Sequence, residues 1–340
     1  MLWPALTSLF APRFDWIQVE VTTHCQAACS YCPHTVYREN WTSRHLETAT
    51  LRGLLPVLKR ARLVHLQGWG EPLLHPDFFT LVSLARQAGC QVGTTTNGML
   101  LDADSLRRLV DLEMAVVAFS LAGVGGNNDF VRRGTRFATV LEKIAALKEI
   151  KARKGALLPK VHVAYMLLSS GLEDLALLPR VLEGLGVGQV VVSTLDFVAS
   201  PSLAKESLSL LPPEESREAA SRLEELAENG RRQGLEICFY LPQSGLRGSL
   251  CPENPARALC VAADGQLAPC VFLNLPVSEE NYVSLKGEAP YRRLGFGHLT
   301  EDQPFLKIWR SPDSRAFRRA WARGIMPSAC QGCLKVSALQ

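Results

Sequence analysis

From Phe14 to about Val192 the chain alternates short β-rich runs with stretches of helical period, and this rhythm narrows the fold more than any other feature. Residues 15–22, 63–67, 91–95, 115–121, 161–168 and 189–194 read as strands, most of them apolar throughout. Residues 46–60, 77–88, 102–112, 137–154 and 172–185 read as the intervening helices, with Asp102 placed to cap the third. Strands that alternate with helices imply a parallel sheet, and nearly continuous apolar strands are expected where both faces are covered. In such sheets the chemistry gathers at the C-terminal ends of the strands. Those ends carry a cysteine loop, the turn Gly68-Trp69-Gly70-Glu71-Pro72, Thr96-Asn97-Gly98, and Ser120.

Past Thr194 the rhythm changes. Residues 201–213 read as a linker, 214–233 as a charged helix and 235–241 as one more strand, after which Cys, Pro and Gly become frequent. The expected organisation is an N-terminal extension over 1–13, an α/β core over 14–195, a connecting segment over 196–240 and a smaller cysteine-rich module over 241–340. With 47% hydrophobic and 21% charged residues the chain can bury a core and is not disordered. Lys and Arg number 37 against 33 Asp and Glu, and a net charge of +4 does not point to nucleic acid. No apolar run approaches the length of a membrane span. Residues 1–10 lack the basic start and small-residue cleavage site of a secretory signal, so a cytoplasmic location is expected.

The ten cysteines are unevenly placed. Cys25, Cys29 and Cys32 form a CxxxCxxC loop after the first strand, and Cys251, Cys260, Cys270, Cys330 and Cys333 fall near the C-terminus. Cys90 and Cys238 stand alone among apolar residues and read as core thiols. Three thiols cannot all pair as disulfides, so the first loop suggests a metal centre. One candidate is an iron–sulfur cluster with an open iron, and the other is zinc with His24 or His34 as fourth ligand.

A strand followed by CxxxCx(aromatic)C, with Gly70-Glu71-Pro72 at the end of the next strand, resembles the radical S-adenosylmethionine (SAM) superfamily. The resemblance spans about residues 14–195 and implies a partial (β/α)6 barrel. It departs from the family's GGEP motif at Trp69, where the family uses backbone groups. It implies that Cys25, Cys29 and Cys32 are catalytic and hold a [4Fe-4S] cluster whose open iron is chelated by SAM. Tyr31 would meet the adenine, and Gly70 and Glu71 the methionine end. Ser120 and Asn97 would lie along SAM on the same rim. Arg132 or Arg133 would pair with the SAM carboxylate, or else belong to a solvated basic loop.

Cys251, Gly265 and Cys270 resemble the opening of a SPASM or Twitch module, and Cys330 with Cys333 supplies a CxxC pair. By that resemblance Cys251, Cys270, Cys330 and Cys333 hold one auxiliary [4Fe-4S] cluster in a shortened module, while Cys260 is a buried thiol. Two separated thiolate pairs would also suit zinc. Arg310, Arg315, Arg318, Arg319 and Arg323 read as the solvated face of a C-terminal helix.

The expected activity is reductive cleavage of SAM to a 5′-deoxyadenosyl radical, which abstracts hydrogen from a substrate in peptide, protein or cofactor maturation. The alternatives are a Twitch-type small-molecule dehydrogenase and a non-catalytic iron–sulfur or zinc protein. Expected partners are reduced flavodoxin or ferredoxin as electron donor and a peptide, protein or small-molecule substrate, with neither nucleic acid nor membrane.

Overall fold

The computed structural model describes residues 13–240 and 251–339; the expected N-terminal extension, Arg13 apart, and the first ten residues of the cysteine-rich module lie outside the described residues. Among the described residues the main sheet has ten strands. In chain order they are β1 (Phe14–Val19), β2 (Ala61–Leu66), β3 (Val92–Thr96), β4 (Val116–Leu121), β5 (Lys160–Leu167), β6 (Val187–Thr194), β7 (Glu236–Phe239), β8 (Ala258–Val261), β9 (Gln266–Ala268) and β10 (Gly297–His298). Strands β1 to β7 lie side by side in chain order, all parallel. The six expected core strands are β1 to β6, each within a few residues of its predicted place.

Five helices cross between them: α1 (Thr48–Leu58), α2 (Phe78–Gln87), α3 (Ala103–Asp111), α4 (Phe137–Lys154) and α5 (Leu172–Leu182). Asp102 caps α3 as its sequence position suggests, accepting the Ser105 N–H at 2.7 Å. Helix α4 buries Phe137, Val140, Ile144, Leu147 and Ile150 along one stripe and stops at Gly155, whose φ of 59° suits a residue without Cβ.

The strand registers correct the expectation that both sheet faces are apolar. On the helix side Ile17, Val64 and Val92 are neighbours, as are Phe119, Val163, Val190 and Ile237, all buried. The opposite face carries Gln18 beside His65, and Thr95 in line with Ala118, His162 and Gln189. The partial barrel therefore has an apolar outside and a polar lumen, as an open barrel requires when its inner face receives a ligand. Gly93 makes room there, because a Cβ would sit 2.8 Å from His65 Nδ1. His65 Nε2 lies 2.9 Å from Gln67 Oε1 and 3.0 Å from Thr95 Oγ1, and burial pushes the imidazole pKa down to about 4.

The C-terminal segment extends this sheet. Strand β8 pairs in parallel with β1, and β9 and β10 continue outward antiparallel. Beyond them, Pro312–Ala322 is the expected arginine-bearing helix. Arg310, Arg315, Arg319 and Arg323 are exposed, but Arg318 departs from the solvated face: its guanidinium lies 3.6 Å from the Trp309 ring centroid and donates to the Trp309 carbonyl. The planar group gains both a π-face and an acceptor there.

Candidate active site at the strand ends

Beyond β1 the chain passes through Glu20 to His24 and enters the cysteine loop. Ala28–Cys29 pairs antiparallel with Arg132–Arg133, which fixes the loop to the segment following β4. The Cys32 carbonyl accepts from the Thr35 and Val36 N–H groups and starts a helical turn with Pro33 at its first position. Burial pushes the Cys25 thiol up to about 11 and the Cys32 thiol up to about 12, and neighbouring cysteine sulfurs act in the same direction. Cysteines spaced along one loop are the donor type that an iron–sulfur cluster takes, as thiolates.

Arg132 is buried, and its guanidinium donates to the Tyr31 hydroxyl. Its Nε has no hydrogen-bond partner among the described residues. Arg133, next to it, is exposed. The solvated-loop reading thus holds for Arg133 and fails for Arg132, because the strand pairing at Cys29 turns alternate side chains to opposite sides.

The Gly68-Trp69-Gly70-Glu71 turn leans on the same loop. A Cβ at Gly70 would lie 2.5 Å from the carbonyl oxygens of both Thr22 and His24, so only glycine fits. The Glu71 N–H donates to the His24 carbonyl at 2.8 Å. The buried Glu71 carboxylate accepts from Thr96 Oγ1 at 2.7 Å, the Asn97 N–H at 2.8 Å and the Leu73 N–H at 3.3 Å. Burial raises its pKa, and these donors pull it back. Asn97 Oδ1 in turn accepts from Gln26 Nε2 at 3.0 Å, which brings it against the cysteine loop. Ser120 stands half-buried at the end of β4, on the lumen face beside Ala164.

Glu20 and Gln26 were not singled out from the sequence. The Glu20 carboxylate accepts from the Trp69 N–H at 2.9 Å and the Ala263 N–H at 3.2 Å, and burial pushes its pKa up to about 7. Its one signal in the sequence is a lone carboxylate within an apolar strand run.

Near the C-terminus, Cys251, Cys270 and Cys330 are each raised first by burial and further by the Cys333 sulfur close by. Cys260 is buried on β8 and lines the same small cavity as Cys270, with Glu20, Glu253, Arg293 and Asp264 supplying charges around it. Lys335 Nζ lies 2.6 Å from Glu253 Oε1 and 3.7 Å from Asp196 Oδ2, tying the strand end after β6 to the segments that carry Cys251 and Cys333. Leu334 shares a buried apolar cluster with Cys29, Tyr31, Leu195 and Val198, so the two cysteine groups pack against a common layer.

The family model described as the Radical SAM superfamily matches residues 19–171, and one described as a SPASM iron–sulfur cluster-binding domain matches residues 251–334. The chain belongs to the radical SAM superfamily. It is 25% identical to the tungsten-containing aldehyde ferredoxin oxidoreductase cofactor-modifying protein of Pyrococcus furiosus, over 94% of this chain and 86% of that one. It is 26% identical to the PqqA peptide cyclase of Ruegeria pomeroyi, over 94% of this chain and 79% of the relative. Among solved structures, anSMEcpe with bound AdoMet superposes with a TM-score of 0.68 at 15% identity, covering 96% of this chain and 85% of that chain. SuiB of Streptococcus suis bound to S-adenosylmethionine gives 0.65 at 14% identity, covering 96% and 72%. These likenesses show the radical SAM fold. The cofactors of this radical SAM enzyme are SAM and [4Fe-4S] clusters, which sets aside the zinc and non-catalytic readings. Among the described residues no helix is long and apolar enough to cross a membrane.

Proposed function

We propose that this radical SAM enzyme is a maturase acting on a peptide, a protein or a protein-bound cofactor. The observation that carries this reading is that two relatives aligned over 94% of the chain are named for cofactor modification and for peptide cyclisation. The small-molecule dehydrogenase alternative has no comparable support. When bound, the cluster and SAM supply a 5′-deoxyadenosyl radical by one-electron reductive cleavage, and the radical takes a hydrogen atom from the substrate.

The chain's own residues have distinct tasks. Cys25, Cys29 and Cys32 hold the cluster and leave one iron open. Glu71, fixed by Thr96 and Asn97, presents the turn that holds the methionine end of SAM. Arg132 offers an unpartnered, buried N–H to the SAM carboxylate, and Tyr31 orients that guanidinium while its backbone faces the adenine. Asn97 and Ser120 line the path from the rim toward the lumen. Cys251, Cys270, Cys330 and Cys333 hold one auxiliary cluster.

The electron comes from reduced flavodoxin or ferredoxin. A cavity of about 310 Å³ lined by Cys25, Gln26, His34, Arg38 and Trp41 opens beside the cysteine loop, where such a donor could approach. A cytoplasmic location fits the free cysteines, which reducing conditions keep unpaired.

The test is anaerobic reconstitution followed by dithionite and SAM, with chromatographic detection of 5′-deoxyadenosine. Formation of 5′-deoxyadenosine, increased by a candidate peptide, supports the reading. Intact SAM in protein whose clusters are full by iron assay overturns it.

A further inference from the structure

Trp69 stands where the family's motif has a glycine, and the structure gives its side chain three contacts outside the SAM site. The indole N–H donates to the carbonyl of Val271 at 3.3 Å, and Val271 directly follows Cys270. The ring packs edge-on against Phe272 at 6.0 Å and Phe197 at 6.2 Å between centroids. Phe197 and Phe272 lie nearly parallel to each other. Phe197 adjoins Asp196, which lies within ion-pair distance of Lys335, two positions past Cys333. On the other side, Trp69 is flanked by Gly68, whose missing Cβ admits the Glu20 side chain, and by Gly70, pressed against the chain entering the Cys25 loop. One side chain therefore joins the turn at the methionine end of SAM directly to the segment that carries Cys270, and through Phe197, Asp196 and Lys335 to the one that carries Cys333.

We propose that Trp69 is a positioning residue that couples the auxiliary centre to the SAM site, so that a complete auxiliary ligand set tightens SAM binding. This rests on the functional reading above. The aromatic contacts and the indole hydrogen bond hold the Gly70-Glu71 turn only while the Cys270 segment is fixed by its cluster. When that segment relaxes, the turn loses its outer support while Glu71 keeps its own donors. By linkage the coupling runs both ways, so SAM must equally stabilise the auxiliary centre against loss of its cluster.

The test uses the full chain with reconstituted clusters and measures SAM affinity by equilibrium dialysis. In the wild-type background, Cys330→Ala with Cys333→Ala should weaken SAM binding by roughly five- to twentyfold, within the range of allosteric couplings. Trp69→Gly keeps the backbone N–H that Glu20 accepts from and removes only the side chain. In that background the same cysteine changes should alter SAM affinity by less than about twofold. A full additional loss in the Trp69→Gly background overturns the proposal.

A second measurement avoids any cysteine variant. SAM should slow chelator-driven loss of the auxiliary cluster in wild-type protein, and Trp69→Gly should abolish that protection although its iron content before the challenge is full. Cluster loss indifferent to SAM in the wild type, or protection that survives in Trp69→Gly, overturns the proposal. SAM binding by the wild type tests the functional reading, whereas the ratio between backgrounds tests the coupling, so the two fail separately.

Discussion

The guanidinium of Arg132 donates to the phenol of Tyr31, joining residues 101 positions apart around the cysteine loop. The same two segments are joined again by their backbones, where Cys29 faces Arg132 across a short antiparallel pair. A buried charge is costly unless its donors are used, and the Arg132 Nε has no partner among the described residues. A carboxylate bound beside the cluster would complete that set.

This arrangement predicts a separation between SAM binding and cluster retention. Arg132→Lys keeps the charge and loses the planar fork, so SAM affinity should fall at least tenfold, the equivalent of roughly 1.5–3 kcal/mol for a hydrogen bond to a charged group. The backbone pairing with Ala28–Cys29 does not need the side chain, so the iron content should stay near wild type. Equilibrium dialysis and an iron assay on the same preparation check both parts. Unchanged SAM affinity in fully loaded protein would remove Arg132 from the SAM site.

Glu71→Gln should destabilise the fold itself. One carboxylate oxygen accepts from Thr96 and Leu73 and the other from Asn97. A carboxamide replaces one of these acceptors with a donor, and either orientation leaves a buried N–H facing another N–H. The expected cost is roughly 1–3 kcal/mol, read as a lower denaturation midpoint in urea. A midpoint equal to wild type would mean that these contacts contribute nothing net.

Glu20 predicts a pH dependence. Burial raises its pKa from 4.5 to about 7, so the folded state keeps its proton over a range where the unfolded chain has lost it. Its contribution is fully present below pH 4.5 and is lost as the pH rises toward 7. The loss is on the order of 2–4 kcal/mol for a shift of this size. Glu20→Gln cannot ionise and should show a flatter profile between pH 5 and 7.5 in oxygen-free urea titrations. Parallel profiles for the two proteins would reject the assignment.

Much of this was legible from the chain. Six strands and their helices follow from apolar periodicity, and α4 falls on its expected bounds because a continuous stripe from Phe137 to Ile150 leaves no ambiguity. The cysteine loop and the Gly70-Glu71 turn are local patterns and carry their own signal. The polar lumen was missed because Gly93, Ala118 and Ala164 are small and let whole strands read as apolar. Glu20 and Trp69 could not be interpreted because their partners, Ala263 and Val271, come close only once β8 has paired beside β1. The sequence leaves Arg132 open between the SAM carboxylate and a solvated loop for a similar reason. Its burial follows from a two-residue pairing too short to leave a pattern.

The two cysteine groups should separate cleanly by iron content. Cys25→Ala, Cys29→Ala or Cys32→Ala should abolish 5′-deoxyadenosine formation, because an incomplete triad cannot present the open iron. The wild type should hold about eight irons per chain, four in each [4Fe-4S] centre, and Cys330→Ala with Cys333→Ala should hold about four. That double variant should still cleave some SAM, since the barrel cluster has its own ligands, while turnover of the true substrate falls much further. Cys260→Ala should retain both centres, costing only what a small buried thiol on β8 contributes to packing. Loss of a whole cluster in Cys260→Ala would show that a different four of the five C-terminal cysteines are ligands. Zinc in place of four of the wild-type irons would overturn the auxiliary cluster and leave the barrel chemistry intact.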